Sequence, residues 1–319
     1  MKNKLRRVAI AGAGHVGAHC AYSLAVQGIV NELVLVDKNE KKLKSEIQDL
    51  RDAVLYLPHN LSVRGADFNE LKDCDILVNC VGDITLLESH DRVQELNFTI
   101  AQVNDFIPKV IAGGFRGIII NISNPCDIVT YQINRLSGLP KGHVFGTGTA
   151  LDTARLASVL SIATNIDHKS ILAYMMGEHG ASQMVPWSNV FFGGSPLSLL
   201  EAREEKYKFD KEEMKEKAIY GGWITYDGKG CTEYGICTTL ARLVRAVYDD
   251  EKCIMPVSAQ LDSEYGQTDI YAGVPCVIGK HGAEQILELP LTNNEMAEFT
   301  RCCADIREYM RKIQICMLT

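Results

Sequence analysis

The sequence predicts an α/β protein, with a doubly wound parallel sheet followed by a second domain of α/β (α+β) type. In the first half, short apolar runs alternate with longer amphipathic runs, which is the order of strands and helices in a parallel sheet. A glycine-rich segment joins the first apolar run to the first helical pattern. The 319 residues, 46% of them hydrophobic, are enough for two domains with large cores.

The first half is expected to form one parallel sheet with helices between its strands. The predicted strands are 7–11, 32–36, 61–64, 75–81, 117–122 and 144–147. The predicted helices are 18–27, 39–57, 89–113 and 127–136. Ligands of such a sheet bind beyond the carboxyl ends of its strands. The last strand sets a domain boundary, which divides the chain into residues 1–148 and 149–319.

The second half lacks this regular alternation. Helices are expected at 150–163 and at 201–217. A third should follow Gly228–Thr232 and run to about Asp250, and a fourth should begin at Asn294. Strands are expected at 171–176, 254–258 and 274–278. The helix at 201–217 is charged almost throughout, which is typical of a solvated amphipathic helix without chemistry. Because the chain has no internal repeat or low-complexity linker, the two halves should pack tightly.

The glycine-rich segment has the spacing Gly12-x-Gly14-x-x-Gly17 between a strand and a helix. In a dinucleotide-binding fold, the first glycine permits a tight turn, the second lets the backbone approach a pyrophosphate, and the third lets helix and strand pack closely. Asp37 ends the second strand, where a carboxylate can accept hydrogen bonds from a ribose and repel a 2′-phosphate. The segment therefore predicts a Rossmann domain that binds NAD rather than NADP, although Lys38 lies beside the acid. The alternative is that Asp37 caps the following helix.

A second candidate site surrounds His179, which lies between Glu178 and Gly180 near the middle of the chain. The neighbouring glycines would let a small molecule approach the imidazole closely. Upstream, Asp152 and Arg155 have the i, i+3 spacing that places both on one face of a helix. Each feature alone has a simpler explanation, since a lone histidine is more often structural and such charge spacing is more often a surface ion pair.

Composition excludes several classes of protein. The 33 Lys and Arg residues against 40 Asp and Glu give a net charge of −7 with no basic tail, which argues against nucleic acid as the main partner. No apolar run approaches the roughly 20 residues of a membrane span, and the short basic lead before the first strand does not resemble a signal peptide. The 11 scattered cysteines include no Cys-x-x-Cys pair, which indicates free thiols and no metal site. A cytoplasmic protein that binds small molecules is expected.

Several motifs occur together in one order along the chain. They are Gly12-x-Gly14-x-x-Gly17, Asp37, Asp91-Arg92, Ile122-Ser-Asn124-Pro125, Gly146-Thr-Gly-Thr-x-Leu-Asp152-x-x-Arg155 and Gly177-Glu-His179-Gly180. With this set, which spans roughly residues 7–315, the chain resembles the L-lactate/malate dehydrogenase family. Within the family it looks most similar to bacterial L-2-hydroxyisocaproate and L-lactate dehydrogenases. The resemblance implies reversible hydride transfer between NADH and a small 2-oxo acid.

The resemblance also implies catalytic roles that the chemistry independently supports. His179 would donate a proton to the substrate oxygen during reduction and accept one in reverse. Asp152 would orient the ring and stabilise the imidazolium. Arg155 would grip the substrate carboxylate with two parallel hydrogen bonds. Arg92 would close over the substrate and polarise its carbonyl, and Asn124 would donate a neutral hydrogen bond.

The remaining implied contacts concern the walls of the site. Thr232 would line the substrate pocket, although capping a helix is a serious alternative for this residue. Contacts to the cofactor, mostly through backbone atoms, are implied for Val16, Gly82, Ile122 and Thr147 as well as for Asn124.

The loop before Arg92 departs from the family pattern. About six residues before the loop arginine, family members that act on lactate carry a glutamine, and those that act on malate carry a second arginine. In this chain the position holds either Thr85 or Leu86. Neither side chain can pair with a second carboxylate, and the nearby acids Asp83 and Glu88 would repel one, so oxaloacetate is disfavoured. Leu86 and Leu87 suggest an apolar wall that suits longer side chains such as that of 2-oxoisocaproate. Pyruvate remains a possible substrate, since a methylene changes selectivity by only about 1–3 kcal/mol.

Two further positions bear on regulation. Family members activated by fructose 1,6-bisphosphate carry a basic residue and a histidine where this chain has Ala157 and Leu172. Without cations to pair with the phosphates, no such activation is expected.

The 2-hydroxyisocaproate-like activity has three alternatives. L-Lactate dehydrogenase proper is the first alternative and malate dehydrogenase the second. A non-catalytic dinucleotide sensor is the third, but a sensor has no use for Arg92, Asp152, Arg155 and His179 together. By resemblance the protein is expected to form a homo-oligomer, a tetramer or a dimer.

Overall fold

The computed structural model describes residues 5–83, 86 and 92–318, and the side chains of 5–83, 86 and 95–311. Within these residues a nine-stranded sheet forms the centre of the molecule. Its parallel part comes from the first half of the chain. In chain order these strands are β1 (Arg7–Ala11), β2 (Glu32–Val36), β3 (Ser62–Gly65), β4 (Ile76–Asn79), β5 (Ile118–Asn121) and β6 (Val144–Gly146).

The parallel strands lie in the order β3-β2-β1-β4-β5-β6, so the chain reverses direction across the sheet next to β1. Strands β4 and β5 are buried along their whole length because helices cover both faces. The helices of this half are α1 (His15–Val26), α2 (Glu40–Val54), α3 (Arg92–Ala112) and α4 (Cys126–Ser137). This arrangement confirms the predicted doubly wound fold.

The second half extends the same sheet and adds a smaller one. Strands β10 (Cys253–Asp262), β11 (Thr268–Gly279) and β12 (Gly282–Ile286) continue the sheet beyond β6 in antiparallel pairing. A three-stranded antiparallel sheet contains β7 (Ile171–Leu172), β8 (Phe191–Phe192) and β9 (Ser195–Pro196). The helices are α5 (Ala150–Thr164), α6 (Leu197–Glu201), α7 (Lys211–Lys229), α8 (Tyr234–Tyr248) and α9 (Asn293–Leu318). The predicted boundary at 148 falls between β6 and α5 and stays a prediction.

Several predicted elements of the second half are wrong in extent. The charged run 201–217 is not one helix, because α6 ends at Glu201 and α7 begins only at Lys211. The side chain of Asp210 starts α7 by accepting hydrogen bonds from the N–H groups of Glu212 and Glu213. Of the predicted strand 171–176, only Ile171–Leu172 forms a strand, and Met176 makes an isolated bridge to Met184. Strand β12 was missed, because its polar residues at the edge of the sheet give no apolar alternation.

No helix of the described residues is long and apolar enough to cross a membrane.

Candidate functional site

One cavity of about 480 Å³ lies beyond the carboxyl ends of the parallel strands, where the two halves of the chain meet. Most residues that the sequence assigned to a site line it together. These are Val16, Ile122, Asn124, Thr147, Asp152, Arg155, His179 and Thr232.

At the centre of the cavity, hydrogen bonds link three charged or polar side chains in a row. His179 Nδ1 lies 2.6 Å from Asp152 Oδ2, and Arg155 Nη1 donates to Asp152 Oδ1 over 2.8 Å. Asp152 is 1% exposed. Burial by itself would raise the pKa of the Asp152 carboxyl, but His179 and Arg155 outweigh it and hold this pKa below its ordinary value. Asp152 therefore stays a carboxylate, and its negative charge lies beside the imidazole ring.

The backbone of His179 is held from another direction by Asp127, a residue that the sequence analysis did not single out. Asp127 Oδ2 accepts a hydrogen bond from the His179 N–H at 2.9 Å, and its Oδ1 accepts one from the Ser258 hydroxyl at 2.6 Å. Burial raises the pKa of the Asp127 carboxyl to about 6, although both hydrogen bonds favour its charged form. The spacing of Asp127 just after Asn124-Pro125 gave no signal for this contact, because its partners are distant in sequence.

Backbone hydrogen bonds hold the loop that carries His179 at both of its ends. Gly177 and Gly273 exchange backbone hydrogen bonds of 2.9 and 2.7 Å, and Met176 pairs with Met184 across the loop. Gly177 has a φ of +92°, which L side chains rarely adopt. The Glu178 carboxylate accepts hydrogen bonds from the backbone and hydroxyl of Ser182 within this loop.

Arg155 reaches the cavity beside α7. Its Nη2 lies 3.5 Å from Thr232 Oγ1, and a Cβ at Gly222 would lie 3.2 Å from its Nη1. A side chain at Gly222 would therefore press on the guanidinium, and glycine leaves it room. Thr232 lies two residues before α8 and its hydroxyl faces Arg155, while the residue at the helix N-cap is Glu233. The alternative of Thr232 as the helix cap is thus wrong.

Asn124 has a buried amide oxygen that lacks a hydrogen-bond partner among the described residues. Unsatisfied buried polar atoms are costly, so such an atom in a cavity wall indicates a place for a polar ligand.

The glycine segment has the geometry that its motif requires. A Cβ at Gly17 would lie 1.8 Å from the Gly12 carbonyl oxygen, so any larger residue would separate α1 from the turn. Gly12 has a φ of +90° and packs on Cys80. A Cβ at Gly14 meets nothing within 4 Å, which leaves open space in front of the α1 N-terminus. That space suits a pyrophosphate, which helix N-termini favour.

Asp37 lies at the end of β2, next to this turn. Its Oδ2 accepts from the Ala13 N–H at 2.7 Å and its Oδ1 from the Asn39 N–H at 2.8 Å. Asn39 is the residue that caps α2, by accepting from the Lys42 N–H. Asp37 therefore joins the glycine turn to β2 and is not the α2 cap.

Apart from the glycine turn and Asp37, which lie outside the cavity lining, three more predicted contacts do not line the cavity or cannot be placed. Gly82 is exposed just beyond β4, and the half-buried Leu86 donates its N–H to the Asp83 carbonyl at 3.3 Å. Neither belongs to the cavity lining, and their roles stay predictions. Arg92 begins α3, but its side chain is not among those described. Thr85, Leu87 and Glu88 of the preceding loop also lie outside the described residues.

Helices α7 and α9 contribute walls that the sequence analysis missed. From α7 come Ile219, Trp223 and Tyr226, whose spacing places them on one face of the helix. That spacing was the available signal, and it was overlooked because the predicted helix ended at 217. From α9 come Asp305, Glu308 and Tyr309, for which the sequence offered no signal.

Models of two protein domains match the chain. The NAD-binding domain of lactate/malate dehydrogenase matches residues 6–146, and the alpha/beta C-terminal domain of lactate/malate dehydrogenase matches residues 149–315.

Similar proteins cover nearly the whole chain. An L-lactate dehydrogenase of Fusobacterium nucleatum is 41% identical over 307 residues, which cover 96% of both chains. L-lactate dehydrogenase 3 of Bacillus cereus is 40% identical over 98% of this chain and 99% of its own. The crystal structure of minor L-lactate dehydrogenase from Enterococcus mundtii in the ligands-bound form superimposes with a TM-score of 0.91 at 32% identity, covering 98% of this chain and 99% of that one.

Proposed function

The chain belongs to the lactate/malate dehydrogenase family, and we propose that the cavity around His179 is the active site of an NAD-dependent L-2-hydroxyacid dehydrogenase. The observation that supports the proposal best is that Asp152 contacts both the His179 imidazole and the Arg155 guanidinium. It combines a group that can exchange a proton with a cation that can bind a carboxylate, in a cavity that also reaches Val16 behind the glycine turn.

The residues present fit NAD. The open space at Gly14 and the N-terminus of α1 suit its pyrophosphate, and Asp37 suits a ribose. Asn124, Ile122, Thr147 and Val16 would contact the part of the cofactor that reaches the cavity. NAD supplies or accepts the hydride of the reaction.

His179 would exchange the proton at Nε2, because Asp152 engages its Nδ1. The negative charge of Asp152 stabilises the imidazolium that must exist before the proton is donated. By holding the His179 N–H, Asp127 fixes where the ring can lie.

Arg155 would bind the substrate carboxylate, since its planar fork can form two parallel hydrogen bonds. The carboxylate then lies next to Thr232, within reach of the proton donor. Asn124 would donate to the substrate oxygen, and Arg92 would polarise it on loop closure.

We propose that the preferred substrate is a monocarboxylic 2-oxo acid with an apolar side chain. Ile219, Trp223 and Tyr226 provide an apolar and aromatic wall on α7. The acidic side chains of Glu178, Asp305 and Glu308 also line the cavity and would repel a second carboxylate, which disfavours oxaloacetate. L-Lactate dehydrogenase proper is the alternative, and the names of the relatives from Fusobacterium nucleatum and Bacillus cereus favour it.

A substrate panel tests these proposals. NADH oxidation is measured with pyruvate, 2-oxoisocaproate, phenylpyruvate and oxaloacetate, and kcat/KM is compared. The highest value for 2-oxoisocaproate is expected, and the highest value for pyruvate would identify a lactate dehydrogenase proper. Fastest turnover of oxaloacetate would contradict the pocket argument, and tight NADH binding without turnover of any substrate would indicate a sensor.

We also propose a homo-oligomer, as a tetramer or a dimer, in the cytoplasm. Leu55 and Tyr56 after α2 are 77% and 88% exposed, and such apolar surface is typical of a contact between subunits. Free thiols at the ten cysteines of the described residues suit a reducing compartment. Light scattering after size-exclusion chromatography should give the mass of more than one chain, and a Leu55→Lys, Tyr56→Lys variant should lower it.

A further inference from the structure

We propose that His15, Cys231 and Glu233 form a binding site for a thiophilic divalent cation such as Zn²⁺, which competes with the cofactor. The site lies where the first turn of α1 meets the segment before α8. Its existence does not depend on the function proposed above; only its effect on NADH does.

The geometry suits a metal ion. One ligand atom from each of the three side chains lies within 4.8 Å of the others, and His15 Nδ1 is 3.6 Å from Glu233 Oε1. Bonds of about 2.0–2.3 Å in a tetrahedral zinc site place ligand atoms roughly 3.3–3.8 Å apart. The three groups need to converge by about 1 Å for this geometry. His15 supplies the movement, because its side chain is 76% exposed, whereas Cys231 and Glu233 are buried.

The donor set selects the kind of cation. A thiolate, an imidazole and a carboxylate together suit zinc, whereas magnesium and calcium prefer oxygen ligands alone. Three protein ligands leave the fourth tetrahedral position to water.

Glu233 already has other partners, among them Lys229 and the Cys231 thiol, and a bound ion would replace the hydrogen bond between Cys231 and Glu233. Lys229 forms an ion pair with Glu233 Oε2, while Glu233 Oε1 faces the histidines, so the two oxygens serve different partners. His19 Nδ1 also lies 3.6 Å from Glu233 Oε1, but it is 2.7 Å from the His15 carbonyl oxygen and is engaged there. His15 is therefore the better placed imidazole.

The position of the site determines its effect. His15 follows Gly14, where the open space suits a pyrophosphate, and Cys231 lines the cavity beside Thr232. A bound ion would tie the glycine turn to the segment that contacts Arg155. Since the turn must admit the cofactor, zinc and NADH should exclude one another.

Binding is tested with Co²⁺ and Zn²⁺ on the full chain, free of cofactor. Co²⁺ bound by a thiolate gives a ligand-to-metal absorption band in the near ultraviolet, and Zn²⁺ affinity is measured by calorimetry. Cys231→Ser should abolish the band, and His15→Asn should weaken Zn²⁺ binding by roughly 10-fold or more. The matched controls Cys253→Ser and His168→Asn, which lie away from the cluster, should leave both unchanged.

Two results would overturn the site. One is a wild-type protein that binds Co²⁺ without a thiolate band, and the other is a band that survives in Cys231→Ser. Because His15 is exposed, His15→Asn keeps the test valid even if Cys231→Ser fails to fold.

Inhibition is tested separately, by measuring the apparent KM for NADH at increasing Zn²⁺. A rise in this KM that disappears in His15→Asn is expected. Zinc binding without any change in KM would overturn the competition with cofactor. A protein without turnover would contradict the proposed function, and the absorption band would still report on the metal site.

Discussion

At the scale of single residues, the choice of partner decides what His179 can do. Glu178 is its neighbour in sequence, but the Glu178 carboxylate bonds to Ser182, whereas Asp152 reaches the imidazole from α5. Two carboxylates near one histidine therefore have different roles, and substitution should separate them.

Replacing His179 by Ala should lower kcat by roughly 10²–10⁴-fold, because the proton then has no positioned donor. NADH binding, followed by fluorescence titration, should persist, since His179 is not part of the glycine turn. Asp152→Asn should also lower kcat strongly, and Glu178→Gln serves as its control with a much smaller effect. An unchanged kcat in His179→Ala would remove this residue from the mechanism.

Arg155 provides a second test at this scale. Arg155→Lys should mainly raise the KM of the 2-oxo acid, because an ammonium cannot form the two parallel bonds of a guanidinium. Steady-state kinetics at saturating NADH measures this. If KM stays at the wild-type value, the substrate carboxylate binds elsewhere.

Asp127 makes stability depend on pH. Its pKa of about 6 in the folded protein is above the ordinary value of about 3.9, so folding favours the protonated form. The associated stability is fully present below about pH 4 and is lost as pH rises through about 6. Relative to the isosteric Asp127→Asn, the wild-type free energy of unfolding should fall by about 1–3 kcal/mol over this range.

Urea unfolding of both proteins between pH 4 and 7 measures this difference. Groups that do not interact with Asp127 cancel, whereas His179 and Glu178, whose charges act on Asp127, contribute to the difference. A difference that does not change with pH would mean that the Asp127 pKa is the same in the folded and unfolded chain.

At the scale of elements, two glycines of the turn between β1 and α1 are needed for different reasons. Gly17 is needed for packing, because a Cβ there would collide with the Gly12 carbonyl. Gly14 is needed for the ligand, because a Cβ there meets only open space and its φ of −69° suits any residue.

The matched variants Gly14→Ala and Gly17→Ala should therefore differ. Gly14→Ala should keep its thermal midpoint and lose NADH affinity, since the methyl group fills the space for the pyrophosphate. Gly17→Ala should lower the thermal midpoint as well, because the collision involves backbone atoms. Equal NADH affinity in Gly14→Ala and wild type would place the pyrophosphate elsewhere.

The misplaced prediction of helix α7 also concealed residues that line the cavity. The charges of 201–217 indicated a solvated helix, but the residues that face the cavity follow at Ile219, Trp223 and Tyr226. The helix was placed about ten residues too early, because charge pattern identifies a helix better than it identifies its ends.

At the scale of the whole molecule, the second half completes the sheet of the first. Strand β10 pairs with β6 at Ser258 and Gly146, and the Ser258 hydroxyl donates a hydrogen bond to Asp127, which in turn accepts one from the His179 N–H. The junction of the two halves thus positions His179.

Regulation by fructose 1,6-bisphosphate is also tested on the whole molecule. Addition of this effector should leave the substrate KM unchanged, because Ala157 and Leu172 cannot pair with phosphates. Steady-state kinetics with and without the effector, at fixed enzyme concentration, measures this. A fall in KM would show that other cations bind the bisphosphate.

Sequence alone was enough to predict the succession of strands and helices along the first half, the glycine turn, and the motifs that identify the family. These depend on local periodicity and on spacing within a few residues, which the chain carries directly. The resemblance had already implied that Asp152 orients His179, and the structure places the two side chains in contact. That Asp127 holds the His179 backbone, and that α7 and α9 form walls of the cavity, became visible only in the tertiary structure. Those contacts join residues far apart in the chain, and packing of the two halves around one sheet brings them together.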